Sequence, residues 1–93
     1  MKFLFVGNGG LSNNISHEFL QETFSQFGQV TDIVMQRKKP YSFVIYEDKQ
    51  SAMLAVEKLQ ATEITKNQTP IFFYIFPVDK GLINYFKAIN VIR

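Results

Sequence analysis

Tyr41 and Phe43 are separated by one residue, and three cations, Arg37, Lys38 and Lys39, stand directly before them. Successive side chains along a strand point to opposite faces, so Tyr41 and Phe43 share one face while Ser42, Val44 and Tyr46 share the other. One face packs and the other shows rings. A second segment, Leu4-Phe5-Val6-Gly7-Asn8, offers another ring, Phe5, on a strand that can lie beside the first. Rings presented on a sheet take up unstacked bases, because every base has a π-face and each stacked base is worth about 1–3 kcal/mol. Cations at the edge of such a sheet would track phosphates. The chemistry implied is non-covalent: stacking and phosphate contact with single-stranded RNA.

The elements that must hold these residues can be read in order. Lys2 to Val6 is an apolar strand ended by Gly7, Asn8, Gly9 and Gly10. Ser16 is placed to cap a helix in which Leu20, Phe24 and Phe27 recur at helical spacing until Gly28 stops it. A second strand covers Val30 to Gln36, and a turn over Arg37 to Pro40 leads into the strand Tyr41 to Tyr46. Asp48 can cap a second helix whose apolar stripe is Ala52, Ala55, Val56 and Leu59. The polar stretch Thr62 to Thr69 reads as a loop, and Ile71 to Phe76 as the last strand. The order is βαββαβ, an α+β ferredoxin-like sandwich: a four-stranded antiparallel sheet with both helices on one face.

In that arrangement the first and third strands are central, so Phe5, Tyr41 and Phe43 meet on the open face. In the last strand Ile71, Phe73 and Ile75 should face the helices, leaving Phe72, Tyr74 and Phe76 on the open side, with Tyr74 the additional candidate for stacking. Phe19, Phe24 and Phe27 sit at helical spacing and belong to the core. Residues 1–80 are expected to form the domain. Residues 81–93 form a tail in which Leu82, Ile83, Tyr85, Phe86, Ile89 and Ile92 suit a short amphipathic helix. Folded back across the sheet, that tail would hide the rings.

Composition narrows the remaining choices. Ninety-three residues, 46% of them hydrophobic, suffice for one core and leave no room for a second domain. Cysteine is absent and His17 is the single histidine, so neither thiolate chemistry nor a histidine-based metal site is expected, and no cofactor is implied. Apolar runs are too short for a membrane span of about 20 residues, and a cytoplasmic or nuclear location is expected. Net charge is only +2, less than electrostatics alone would need to hold nucleic acid. The placement of Arg37, Lys38 and Lys39 therefore matters more than the sum. Gly7-Asn8-Gly9-Gly10-Leu11-Ser12 superficially resembles a dinucleotide fingerprint, but the doubly wound sheet which that site needs is missing, and a glycine-rich turn is the better reading.

The two ring-bearing segments resemble the paired signatures of the RNA recognition motif, the longer being Lys/Arg-Gly-Phe/Tyr-Gly/Ala-Phe-Val-x-Phe/Tyr. Lys39, Tyr41, Phe43, Val44 and Tyr46 fit it, and Pro40 and Ser42 depart from its two small positions. Leu4, Phe5, Val6 and Asn8 fit the shorter signature, with Gly9 where an aliphatic residue is usual. More narrowly, Asn8-Gly9-Gly10-Leu11-Ser12-Asn13, then Ile15-Ser16, then Lys39-Pro40-Tyr41-Ser42-Phe43, is similar to the N-terminal RNA recognition motif of the AlkB-type tRNA wobble-uridine hydroxylase/methyltransferase family. Val78-Asp79-Lys80 resembles that family's Val-Glu-Lys. The resemblance implies a domain that helps to hold tRNA for enzymes acting at the anticodon. It implies no catalysis by this chain, which has neither an iron site nor a methyltransferase domain. Two alternatives stand beside it: a protein-interaction module whose sheet is occluded, and an N-terminal fragment of such a tRNA-modifying enzyme.

Overall fold

The computed structural model describes residues 2–60, 63–66 and 69–85. Its strands are β1 (Phe3–Gly7), β2 (Val30–Met35), β3 (Tyr41–Tyr46), β4 (Glu63–Lys66), β5 (Thr69–Phe72) and β6 (Tyr74–Val78), and its helices are α1 (His17–Phe24) and α2 (Lys49–Leu59). The main sheet has the order β2-β3-β1-β6, with every neighbouring pair antiparallel. This is the expected ferredoxin-like α+β arrangement with β1 and β3 in the centre.

Both helices start where the sequence places their caps. The Ser16 hydroxyl accepts the Phe19 amide at 3.0 Å, and the Asp48 carboxylate accepts the Ser51 amide at 2.7 Å, each satisfying one of the donors that a helix start leaves over. The hydrogen bonds from Ser51 hold the Asp48 carboxyl below the usual carboxylate range. α1 tightens into a single 3-10 turn over Ser25–Phe27 and stops at Gly28. At Gly28 φ is 154°, and a Cβ would lie 1.9 Å from the Ser51 hydroxyl, so only glycine lets the end of α1 meet the start of α2.

Leu4, Val6, Ile33, Val44 and Ile75 from the sheet pack against Leu20, Phe24, Ala52, Ala55 and Leu59 from the helices. Each large side chain so buried contributes roughly 1.5–3 kcal/mol. The alanines bring α2 close to the sheet. Tyr46, the last residue of the longer signature, is also in this core, and its hydroxyl donates to the Phe24 carbonyl at 2.6 Å. Burial pushes that hydroxyl's pKa upward, which keeps it a donor. At the other end of α2 the Gln60 side chain brackets Ile75, accepting its amide at 3.1 Å and donating to its carbonyl. β6 is thereby tied to α2.

Two expectations are corrected. The stretch read as a loop contains β4, which pairs with β5 in a separate two-stranded hairpin with Ile64 opposite Ile71. Both isoleucines pack on the core, which gives this otherwise polar segment its anchor. The last strand is also two strands, broken at Phe73, which is fully buried. The alternation survives the break: Phe73 and Ile75 are buried, while Phe72, Tyr74 and Phe76 are about half exposed. Residues 80–85 are helical, whereas Phe86, Ile89 and Ile92 of the expected tail helix lie outside the described residues.

Candidate nucleic-acid interface

β-register places four residues in one row across all four strands of the open face: Val34 beside Phe43, Phe43 beside Phe5, and Phe5 beside Phe76. The next row runs from Tyr41 through Gly7 to Tyr74. Phe5 is the centre of the cluster. Its ring stacks on Tyr41 at 5.5 Å between centroids, meets Phe43 edge-on at 5.8 Å and leans on Phe76 at 6.3 Å. Gly7 leaves its place open to these rings: a Cβ there would lie 3.2 Å from the Tyr74 Cβ and 3.3 Å from the Phe5 ring. The result is a continuous aromatic surface opposite the helices.

Exposure is uneven over that surface. Tyr74 and Phe76 are 56% and 52% exposed, and Phe5 and Tyr41 are half-buried. Phe43 lies on the expected face, but its expected openness is not met, because the ring is completely buried. Neighbours standing at the same height shield a ring's flanks and leave its outer edge in solvent, so full burial requires atoms above the sheet. Phe76 joins the rings expected to stack, and the alternation from Tyr74 onward is the sequence signal that marks it.

The cations stand at the end of the sheet where Tyr41 begins. Arg37 and Lys38 are exposed and Lys39 is half-buried. Lys38 adopts a left-handed conformation at φ 57°, and the Lys39 amide donates to the Gln36 carbonyl at 3.3 Å, closing the turn. The glycine-rich turn after β1 supports it from beneath. Ser12 donates its amide to the Lys39 carbonyl at 3.2 Å, and a Cβ on Gly10 would lie 2.0 Å from that same carbonyl. Gly10 therefore sets the distance between the two loops, and a side chain there would push the cationic turn away from the rings. The acidic residues Glu18, Glu22 and Glu57 are exposed on the helices.

Asn8, at the end of the shorter signature, is also left-handed, at φ 67°. Its side-chain amide donates to the Phe72 carbonyl at 3.0 Å and fixes the hairpin's exit beside β1. Among the described residues no cluster of three or more histidine, cysteine, aspartate or glutamate side chains could hold a metal ion. Nor, among the described residues, is any helix long and apolar enough to cross a membrane. The site offers rings, cations and amides, and its chemistry is binding.

Residues 4–69 match the RNA recognition motif family. The chain is 33% identical over 82 residues, 86% of its length, to the Xenopus tropicalis tRNA (carboxymethyluridine(34)-5-O)-methyltransferase alkbh8, of which it covers 13%. It is 32% identical over 79 residues, 85% of its length, to polyadenylate-binding protein RBP47 of Nicotiana plumbaginifolia, of which it covers 18%. The chain thus spans less than a fifth of these two relatives. Among solved structures, the RRM domain of Puf1 from S. pombe superposes with a TM-score of 0.69 at 26% identity, covering 83% of this chain and 97% of that one.

Proposed function

The chain belongs to the RNA recognition motif family, and on that premise we propose that it binds single-stranded RNA across the open face of its sheet and contributes to tRNA binding. The observation that carries this reading is the aromatic row centred on Phe5, with Tyr41, Phe43 and Phe76 within 6.3 Å of it on the side away from the helices. Bases stack on Phe5, Tyr41 and Tyr74, Phe43 braces the Phe5 ring from the side, and Arg37, Lys38 and Lys39 follow the phosphates. A domain of this family is a binding module and not a catalytic fold. The tRNA target is supported by the identity to a wobble-uridine methyltransferase, in which such a domain would hold substrate for catalysis carried out elsewhere.

The test is fluorescence anisotropy with a tRNA anticodon stem-loop and an unstructured RNA of equal length. Tighter binding of the stem-loop supports tRNA as the target, and equal affinity leaves single-stranded RNA without it. A protein-binding role has one observation of its own. Met53 and Leu54 are exposed on α2, at 57% and 39%, beside Gln50 and Glu57 and away from the rings. A protein partner held there would be lost on Met53→Asp and kept on Tyr41→Ala.

A further inference from the structure

We propose that the helix at residues 80–85 is a displaceable cap on the open face, seated through Ile83 over Phe43, and that RNA and the cap compete for the same rings. The competition rests on the RNA reading above. Phe43 is fully buried although it points away from the helices, and Ile83 is 2% exposed. Neither belongs to the core cluster between sheet and helices. Two buried apolar side chains outside the core, one on the open face and one on the segment leaving the edge strand β6, are what a cap seated on that face would produce.

The reach is adequate. Phe43 lies two strands from β6, roughly 10 Å away at ordinary strand spacing. Ile83 follows the end of β6 by five residues, and two extended steps to residue 80 followed by three helical ones span about 11 Å. The helix rests on one side only: Leu82 and Tyr85 are 39% and 61% exposed, and the position of a Cβ on Gly81 meets nothing within 4 Å. Coverage is also one-sided. Phe43 on β3 is closed, while Tyr74 and Phe76 on β6 stay open. RNA can therefore settle first on the rings of β6 and β1, and it gains the β3 rings as the cap leaves.

The full chain carrying Ile83→Asp is compared with Leu82→Asp, which adds the same charge on the exposed side of the same helix. A cap docked about nine-tenths of the time weakens RNA about tenfold, so Ile83→Asp should tighten an unstructured RNA by several-fold to about tenfold despite its added negative charge. Leu82→Asp should not tighten it. Circular dichroism melts confirm that both variants fold. Amide hydrogen exchange over residues 80–85 should accelerate in Ile83→Asp, and in the unaltered chain when RNA saturates it. Equal RNA affinity in both variants, or exchange that RNA leaves unchanged, overturns the cap alone. Failure of every variant, folded and at high concentration, to bind RNA overturns the RNA reading and the competition with it.

Discussion

Phe5 and Phe43 stand directly opposite each other on β1 and β3 with ring centroids 5.8 Å apart, yet Phe43 is fully buried and Phe5 keeps part of its ring in solvent. The two signature rings therefore divide the work. Phe43 is a packing residue in the unbound protein, and Phe5 is available to a base. Replacing Phe43 with alanine should lower stability by about 1.5–3 kcal/mol, the worth of burying such a side chain, and Phe5→Ala should cost clearly less. Urea unfolding of both variants checks the order.

Tyr46 fits the longer signature but faces the core, where its hydroxyl donates to the Phe24 carbonyl. Tyr46→Phe leaves that carbonyl without its partner, at a cost of about 1–3 kcal/mol. The unfolding midpoint should fall while RNA affinity stays within twofold. Thermal melts and anisotropy on the same sample separate the two effects.

The Asp48 carboxyl is held below its usual range by its bonds to Ser51. A folded pKa below the unfolded one means that the cap's contribution is present above the unfolded value and lost as pH falls through the folded one. Stability should therefore decline below about pH 4, the ordinary aspartate region. Asp48→Asn, which caps without ionising, should flatten that part of the profile. Urea midpoints taken between pH 6 and pH 3 read the difference.

Arg37 and Lys38 are exposed at the end of the sheet nearest Tyr41. If each meets one phosphate, removing both should reduce the slope of log affinity against log salt by about 1.4, at about 0.7 per phosphate for a single strand. Gly10→Ala should act on the same slope indirectly, because its Cβ would collide with the Lys39 carbonyl and displace the turn. That variant should also lose roughly 1–3 kcal/mol of stability through overcrowding. Titrations at three salt concentrations check both variants.

Much of this structure is legible in local chemistry. Ser16 and Asp48 cap the helices because a short side-chain oxygen precedes an apolar period, and the Phe73, Ile75 alternation shows in a two-residue repeat that needs no tertiary information. β4 escapes such reading: four residues, Glu63 to Lys66, carry too little apolar signal, and only the pairing of Ile64 with Ile71 reveals the strand. The burial of Phe43 is not local at all. Strand alternation fixes which face the ring takes, but how far that face is covered depends on parts of the chain remote from it in sequence. Exposure on a sheet is decided by what folds over it.

The central claim is that RNA stacks on the open face, and it is tested most directly with Phe5→Ala, Tyr41→Ala and their double variant, leaving the buried Phe43 intact. Anisotropy against an unstructured RNA should show each single change weakening binding by about 1–3 kcal/mol. The double variant should lose less than the sum, because the two rings stack on each other at 5.5 Å and their contributions are coupled. Folded variants that bind RNA as tightly as the unaltered chain would contradict the account and move the binding surface elsewhere.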